Sequence, residues 1–402
     1  MVDFRRLEDV NLAGKTAMVR VDFNVPVNDG GGISDDTRLR AAVPTIKALQ
    51  DGGAKIILMS HFGRPKGQVE PSMSLSFLTA PLAELLGTPV SFTDSCIGED
   101  AREKAAGLSA GDVLLLENTR FHSEETDNDP NLAKALASLG DLFVHDAFSA
   151  SHRAHASSEG IGHFLPSCAG LSMARELDHL SQALEHPKSP VLAVVGGAKV
   201  STKIDLLQNL VTKLDALAIG GGMANTFLAA LGHDVGKSLC EHDLKPLALK
   251  IMDAAKKANC SVLLPVDVVV AKDFAAHAPH RVCGLDDVAQ DEMILDAGNQ
   301  TVEQLADAID RAKTLIWNGP LGAFEMAPFD TATVEAAQYA GRRVKENGLI
   351  AVAGGGDTVA ALKHAGAADM FTFISTAGGA FLEWMEGKPL PGVEILKQGA
   401  DA

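Results

Sequence analysis

Cysteine is scarce in this sequence and is never closely paired. The 402 residues include five cysteines, and no CxxC pair occurs among them. Disulfide frameworks and cysteine-rich zinc sites show characteristic cysteine spacings, so the sequence favours neither. We therefore expect a protein of the reducing cytoplasm.

Long apolar segments are missing as well. No stretch of about 18 uncharged apolar residues occurs, so we expect no membrane-spanning helix. The N-terminal string MVDFRRLEDV has no apolar run after its charges, and we therefore expect no signal peptide. The hydrophobic share of 46% and charged share of 22% are typical of globular proteins. A length of 402 residues favours two domains, with three as the alternative.

Positive charge is in deficit, since the formal net charge is −17. Such a chain is a poor nucleic-acid binder, because that affinity comes mostly from neutralised phosphates. A site for small anions can still be locally basic. Nine of the fourteen arginines lie in residues 1–170, whereas fifteen lysines and five arginines follow. Arginine is a planar fork and lysine a compact point charge, so we expect the two halves to handle different anions.

Short apolar runs rich in β-formers alternate with helical patterns. The predicted strands are 16–23, 55–60, 89–93, 112–117 and 141–146, followed by 191–195, 215–219, 261–264, 313–317, 349–353 and 371–374. The predicted helices include 37–51, 131–139, 201–213, 241–258, 301–311, 331–346 and 357–365. Continuous apolar strands separated by helices indicate parallel sheets covered on both faces. The pattern predicts an α/β protein with two doubly wound, Rossmann-like domains.

A long helical pattern separates the two series of strands. Apolar residues recur from Leu171 to Leu184 at helical spacing, and Pro187 and Pro190 follow. We predict an N-terminal domain over 1–170, a connector helix over 171–186 and a C-terminal domain over 187–376. We expect a cleft between the domains, and a tail of about 377–402 that packs back onto the N-terminal domain.

Three familiar signatures are incomplete. The string LGHDVGKS has three residues between Gly232 and Gly236, whereas a P-loop needs four before its GK pair, so we interpret it as a loop. Neither GGGMANTF nor GGGDTVAA supplies the third glycine of the dinucleotide fingerprint. His152 and His155 lack a third histidine or cysteine at suitable spacing, which disfavours a zinc site.

Glycines follow the strands of the second half. In GGAKVSTK, Lys199 and Lys203 lie four residues apart, which predicts that both lie on one face of a helix near its N-terminus. A helix N-terminus favours a phosphate, and the two lysines would add positive charge. The alternative is an ordinary turn with two solvated lysines. In AVAGGGDT, Asp357 could hold Mg²⁺ or merely cap a helix. Glu325 could accept from ribose hydroxyls or be an ordinary surface glutamate.

Basic residues follow the strands of the first half. Five arginines lie near a strand end or a helix start: Arg20, Arg38, Arg64, Arg120 and Arg153. Each alone could be a surface ion pair, but together they predict a shared anion site. Asp22 and Asn24 alternate with Phe23 and so point the same way. His61 and His155 could add donors.

The two halves together suggest a nucleotide site and a small-anion site, with phosphoryl transfer between them. Such catalysis is mostly positioning and stabilisation of charge. A dehydrogenase is an alternative that the missing fingerprint disfavours. A second alternative is a non-catalytic protein that binds a phosphorylated metabolite. Loss of Arg38 or Lys199 would have favoured this alternative, but both residues are present.

Eight strings in order resemble the phosphoglycerate kinase family from about residue 5 to residue 395. They are RVDFNVP, SHFGRP, LLENTRFH, SHRAHAS, GGAKVSTK, GGGMANTF, WNGPLGAFE and GGGDT. The resemblance implies two Rossmann-like domains with a hinge. It also implies transfer between ATP and the carboxylate of 3-phosphoglycerate with Mg²⁺, in glycolysis, by a cytoplasmic monomer.

The resemblance also implies roles for individual residues. Contacts to 3-phosphoglycerate are expected from Asp22, Phe23, Asn24, Arg38, His61, Phe62, Gly63, Arg64, Arg120 and Arg153. Catalytic roles are expected for Arg38, Lys199, Gly356 and Gly379. Nucleotide contacts are expected from Lys203, Gly221, Gly222, Glu325, Gly355, Gly356, Asp357 and Thr358, with Asp357 also holding the metal.

One position departs from the family pattern. Many relatives carry three glycines where this chain has Ala377 before Gly378 and Gly379. If residue 377 needed a positive φ, alanine would be strained there.

Overall fold

The computed structural model describes residues 4–28 and 30–397. Within them the chain divides into two compact units. The first unit comprises residues 4–178 and 389–397, and the second unit comprises residues 179–388.

The strands and helices alternate over most of the chain. The strands are β1 Thr16–Arg20, β2 Lys55–Met59, β3 Val90–Phe92, β4 Val113–Leu115, β5 Leu142–His145, β6 Ser167–Ala169, β7 Val191–Val195, β8 Ala216–Ile219, β9 Ser261–Leu263, β10 Asp267–Ala271, β11 His280–Gly284, β12 Met293–Ala297, β13 Thr314–Asn318, β14 Ile350–Gly354 and β15 Phe373–Ser375. The helices are α1 Thr37–Asp51, α2 Thr79–Leu86, α3 Glu99–Ala106, α4 Pro130–Ala137, α5 Leu171–Leu184, α6 Ile204–Leu210, α7 Gly221–Ala230, α8 Lys245–Lys257, α9 Asn299–Arg311, α10 Thr331–Asn347, α11 Gly356–His364, α12 Gly378–Met385 and α13 Pro391–Lys397.

A parallel sheet forms the centre of the first unit. Among the described residues its order is β3-β4-β2-β1-β5-β6. Successive residues of β1 pack into different apolar clusters: Ala17 and Val19 into one, Met18 into the other. Side chains alternate across a strand, so both faces of this sheet are buried, as the continuous apolar runs predicted.

The second unit repeats this plan and adds a smaller sheet. Its parallel sheet has the order β15-β14-β13-β7-β8-β9 in the described part of the chain. These two parallel α/β sheets confirm the predicted fold class. The additional sheet, β11-β10-β12, is antiparallel and was not predicted. Its strand β10 is a continuous apolar run that follows β9 after three residues, without the helix that marks a parallel connection.

Helix ends follow local capping rules. The Asp129 side chain accepts from the backbone N–H groups of Asn131 and Leu132 and so caps α4, which begins at Pro130. Helix α10 ends at Asn347, and the residue that follows, Gly348, has φ +66°, a conformation that suits glycine. No helix in the described residues is both long and apolar enough to cross a membrane.

The connector helix and the tail differ in detail from the prediction. Helix α5 begins in the first unit and ends in the second, since the division falls after Asp178. Residues 378–385, predicted as tail, instead form α12 within the second unit, where α12 packs against α6. The segment that belongs to the first unit starts at residue 389, and there Gly392 N–H donates to the Ser151 carbonyl at 3.0 Å.

Candidate active site

A basic cavity lies in the first unit, where β1, β2, β4 and β5 end. Its volume is about 810 Å³. Arg20 ends β1, His61 and Arg64 follow β2, Arg120 follows β4, and Arg153 follows β5. Ligands of open parallel sheets bind beyond the carboxyl ends of the strands, so this is the expected place for a site.

Arg38 and Asp22 are paired with each other. The Arg38 guanidinium donates to both Asp22 oxygens, at 2.9 and 2.8 Å. The Ser149 hydroxyl donates to the same carboxylate at 2.5 Å. These contacts fix the side chain of Arg38, the residue that is predicted to stabilise the transferring phosphoryl group.

Asn24 and Arg120 fix the loop after β2. The Asn24 side chain accepts from the Gly63 N–H at 2.9 Å, and Arg120 donates to the Gly63 carbonyl at 2.9 Å. Gly63 has φ +61°, and a Cβ there would lie 2.8 Å from the Met73 sulfur. The loop that carries His61 and Arg64 therefore depends on glycine at this position.

Burial and positive neighbours lower the pKa of two histidines of the site, His61 and His155. His61 is 9% exposed, and burial, followed by the charges of Arg20, Arg120 and Arg38, holds its pKa well below the ordinary value. Burial also lowers the pKa of His155. Neutral imidazoles can donate to a bound anion without repelling the adjacent arginines.

Two of the predicted substrate residues have side chains that lie in the core. Phe23 is fully buried and Phe62 is 9% exposed, and both pack in the apolar cluster of the first sheet. The Phe23 N–H donates to the Ser60 hydroxyl at 2.9 Å. The alternation that points Asp22 and Asn24 outward turns the Phe23 side chain inward. The substrate role of Phe23 and Phe62 stays a prediction.

Close backbone approach characterises the strand ends of the second unit. A Cβ at Gly196, after β7, would lie 1.8 Å from the Pro320 carbonyl oxygen, so only glycine fits there. A Cβ at Gly221 would lie 2.8 Å from the Gly197 oxygen, and Gly221 has φ +67°. Glycines thus bring the ends of β7, β8 and β13 together.

The two lysines of GGAKVSTK do not share a helix face. Lys199 is extended and exposed, a short 3₁₀ turn follows, and α6 begins only after Lys203. The predicted one-face arrangement is therefore wrong, because the chain turns sharply between the two residues.

Lys203 is instead directed at the strand ends. Its ammonium donates to the Gly196 carbonyl at 2.6 Å, the Asn318 carbonyl at 2.9 Å and the Asn318 side-chain oxygen at 2.6 Å. Burial lowers the pKa of Lys203 to about 8, and the Asp357 carboxylate opposes that shift. The charge of Asp357 therefore favours the protonated form of Lys203.

Two helix N-termini meet beside these residues. Gly355, with φ +100°, precedes α11, which starts with Gly356, Asp357 and the buried Thr358. A Cβ at Gly378 would lie 3.9 Å from the Gly356 nitrogen, so the start of α12, including Gly379, adjoins the start of α11. Convergent helix N-termini favour a phosphate.

Ala377 is unstrained. Its φ is −93°, so the replacement of a family glycine by alanine costs nothing in backbone conformation.

A second cavity, of about 580 Å³, lies beside these glycines. Gly221, Gly222, Glu325 and Asp357 line it together with apolar residues. Glu325 is exposed and available to a polar ligand group. Four of the predicted nucleotide residues therefore line this cavity. The other four, Lys203, Gly355, Gly356 and Thr358, are not part of its lining.

Sequence reasoning missed several residues of both sites. In the first cavity these are Ser149, Lys66 and His122. In the second unit Asn318 joins Lys203 to the Gly354 carbonyl, to which its side-chain nitrogen donates at 2.7 Å. The signal was present, because Asn318 directly ends β13 in the string WNGP.

A basic cavity on one doubly wound unit and a glycine-rich cavity on the other define an α/β phosphotransferase. The family model described as phosphoglycerate kinase matches residues 7–388. A phosphoglycerate kinase of Caulobacter vibrioides is 61% identical over 394 residues, covering 98% of this chain and 99% of that relative. The relative from Rhodopseudomonas palustris is 60% identical, with 98% of each chain covered.

Solved structures agree. The phosphoglycerate kinase from Coxiella burnetii has a TM-score of 0.93 at 40% identity, covering 99% of this chain and 100% of that chain. The phosphoglycerate kinase from Pyrococcus horikoshii has a TM-score of 0.77 at 31% identity, covering 98% and 100%. The chain belongs to the phosphoglycerate kinase family. It is a phosphotransferase with a carboxyl group as acceptor, as the motifs implied.

Proposed function

We propose that this enzyme transfers a phosphoryl group reversibly between ATP and the carboxylate of 3-phosphoglycerate. A carboxylate oxygen forms a bond to the γ-phosphorus, the bond to the β-phosphate oxygen breaks, and the products are ADP and 1,3-bisphosphoglycerate. The observation that carries this proposal is the basic cavity of the first unit, whose arginines and histidines suit a small molecule with a phosphate and a carboxylate.

The reaction needs no general base. A carboxylic acid is already ionised at pH 7, so the acceptor has no proton to lose. The task that remains is to hold several negative oxygens together, which cations and helix N-termini can do. Arg38 and Lys199 are proposed to stabilise the transferring group, together with the backbone of Gly356 and Gly379.

The remaining roles divide between the two units. The residues proposed to bind 3-phosphoglycerate are Asp22, Phe23, Asn24, Arg38, His61, Phe62, Gly63, Arg64, Arg120 and Arg153. Gly221, Gly222 and Glu325 are proposed to bind the nucleoside, and Lys203, Gly355, Gly356, Asp357 and Thr358 its phosphates.

Asp357 suits the Mg²⁺ that accompanies a nucleotide. No group of three or more histidine, cysteine, aspartate or glutamate side chains that could hold a metal occurs in residues 4–28 and 30–397. A single exposed carboxylate beside a phosphate-binding helix start fits a metal that keeps its water and arrives with the phosphates. When bound, the metal would neutralise phosphate charge.

A coupled assay tests the reaction. ADP should form from ATP and Mg²⁺ only when 3-phosphoglycerate is added, and glycerate without its phosphate should support little turnover. ADP formation that is independent of 3-phosphoglycerate would contradict the proposal.

We propose further that transfer requires closure of the two units. The reacting oxygen and phosphorus must approach within about 3–3.5 Å, and water must be excluded. Small-angle scattering should show the smallest radius of gyration in the complex with 3-phosphoglycerate and a non-hydrolysable ATP analogue. An unchanged radius at saturating ligands would contradict closure.

The enzyme is proposed to act in the cytoplasm as a monomer, without nucleic-acid or membrane partners. The net charge of −17 supports the lack of a nucleic-acid partner. Light scattering should give a mass near the chain mass of 42.1 kDa. A mass of twice that value would contradict the monomer.

A further inference from the structure

A buried hydrogen-bond chain lies beneath the basic cavity. Arg20, which is 1% exposed, donates from Nε to the Ser157 hydroxyl at 2.9 Å and from Nη2 to His61 Nδ1 at 2.9 Å. The Ser157 hydroxyl donates in turn to Glu125 Oε1 at 2.5 Å. We call this series, Glu125, Ser157, Arg20 and His61, the Glu125 chain.

The chemistry of its members assigns the direction of every bond. A guanidinium has only donors, so His61 Nδ1 must accept from Arg20. A neutral imidazole that accepts at Nδ1 carries its proton on Nε2. The neutral form is favoured because burial and the charges of Arg20, Arg120 and Arg38 hold the pKa of His61 well below its ordinary value.

Glu125 supplies the negative charge of the chain. It is fully buried, and its oxygens also accept from the Ser157 N–H at 3.0 Å and the Thr119 hydroxyl at 3.3 Å. The Arg20 guanidinium donates to three neutral acceptors, the third being the Val21 carbonyl. A buried charge needs a nearby counter-charge, and Glu125 provides one through a single hydroxyl.

We propose that Glu125 is a positioning residue of the substrate site. Through Ser157 and Arg20 it fixes His61 in the neutral form with the proton on Nε2, so that this N–H is available to the anionic substrate. The inference rests on the proposed function, because it takes that anion to be 3-phosphoglycerate. A purely structural Glu125 would join its loop to the loop of Ser157 but would not determine the His61 tautomer.

Ser157→Ala is the mildest way to interrupt the chain. It leaves both charges in place but removes the hydroxyl between them, so the guanidinium can turn towards Glu125 and release His61 Nδ1. We expect KM for 3-phosphoglycerate to rise about 10-fold, the effect of losing one hydrogen bond with a charged partner, with a much smaller change in kcat. Glu125→Gln should act in the same direction.

Ser167→Ala is the matched control. Ser167 is also a buried serine of the first unit, and its hydroxyl donates to the Leu165 carbonyl rather than to the Glu125 chain. This variant should retain the wild-type KM. Circular dichroism and thermal melting should show that each variant is folded.

The decisive readout is the tautomer of His61, observed by long-range ¹H–¹⁵N correlation on the full-length enzyme at pH 7. The wild type should show Nε2–H with an unprotonated Nδ1, and Ser157→Ala should show both tautomers in exchange. An imidazolium or Nδ1–H form in the wild type would overturn the inference. A raised KM with an unchanged tautomer would overturn it too, since Glu125 would then act only structurally.

Failure of the proposed function would look different. In that case the wild type would show the expected tautomer, and its change in Ser157→Ala, while forming no ADP in response to 3-phosphoglycerate. Such a result would support the positioning role of Glu125 and contradict 3-phosphoglycerate as the substrate.

Discussion

Each unit places its candidate binding groups beyond the carboxyl ends of the strands in its own parallel sheet, but one unit uses side chains and the other uses backbone. The first unit extends side chains from its strand ends, and these form a cavity of arginines and histidines. In the second unit glycines follow the strands, so the candidate site is formed by glycine backbone and helix N-termini. A doubly wound sheet therefore fixes where a site lies, while the residues after each strand decide what it binds.

The units also share a feature that the sequence does not reveal. In each unit a positively charged side chain of the candidate site is hydrogen-bonded within the protein. Arg38 donates to the Asp22 carboxylate, and Lys203 donates to the carbonyls of Gly196 and Asn318. Such contacts restrict flexible side chains in advance, so less ordering is needed when a ligand binds. The two cations should nevertheless respond differently to mutation.

Arg38→Ala should have the largest effect. If Arg38 stabilises the transferring phosphoryl group, kcat should fall by about 10²-fold or more, with a smaller loss of substrate affinity. Steady-state kinetics measures both. Arg40→Ala is the control, because Arg40 lies on the same helix but pairs with the partly exposed Asp36. Near-normal turnover in Arg38→Ala would remove Arg38 from catalysis.

Gly221→Ala should have the next largest effect. Its Cβ would press against the Gly197 backbone at positive φ, so we expect ADP affinity to fall at least about 10-fold and stability by roughly 1–3 kcal/mol. Calorimetric titration with ADP measures the affinity. Gly348→Ala is the control, since it has φ +66° and nothing within 4 Å. If Gly348→Ala also lost ADP affinity, backbone strain in general, rather than the close approach of Gly221 to Gly197, would explain the loss.

Alanine variants of Lys199 and Lys203 should differ, because only the Lys203 variant should lose stability as well as function. Lys199→Ala should lower kcat without lowering stability, because Lys199 is exposed. Lys203→Ala should weaken ADP binding and also cost about 1–3 kcal/mol of stability, because it leaves partly buried acceptors unpaired. Denaturant unfolding and ADP titration distinguish these results. Equal losses of kcat, affinity and stability in both variants would refute this division.

The pH dependence of ADP binding should be the smallest effect. The pKa of Lys203 is lowered to about 8, so the ammonium loses its proton and its attraction for phosphate as the pH rises past that value. ADP affinity should decline between about pH 8 and 9.5, by less than about tenfold in total.

The effect on stability has the opposite sign. Between about pH 8 and the ordinary pKa of 10.5, the folded enzyme binds fewer protons at Lys203 than the unfolded chain. The contribution of Lys203 to the free energy of unfolding therefore rises with pH across that window. Lys203→Met should remove both trends, and an unchanged pH profile in that variant would assign them to another group.

The parallel sheets could be predicted from the sequence because each strand is a continuous apolar run. Helix α1 was predicted with its observed bounds, 37–51. Strand β6 was missed, since three small residues between Pro166 and Gly170 carry little pattern. The β10–β12 sheet was missed because antiparallel strands need no helix between them.

The residues of the site were easier to predict than their arrangement. Motifs identified which residues collect at the strand ends, because the fold brings those ends together. They could not identify the pairing of Arg38 with Asp22, the inward turn of Lys203 or the role of Asn318, since each depends on contacts between distant parts of the chain. Spacing by four suggested a helix for Lys199 and Lys203, but backbone geometry overrode it.

A crossed titration tests the central claim, that each unit binds its own anionic ligand. Calorimetry would measure binding of 3-phosphoglycerate and of ADP with Mg²⁺ to the wild type, to Arg64→Ala and to Gly221→Ala. We predict that Arg64→Ala weakens 3-phosphoglycerate alone and that Gly221→Ala weakens ADP alone. If either variant lost affinity for both ligands equally, the assignment of one ligand to each unit would be contradicted.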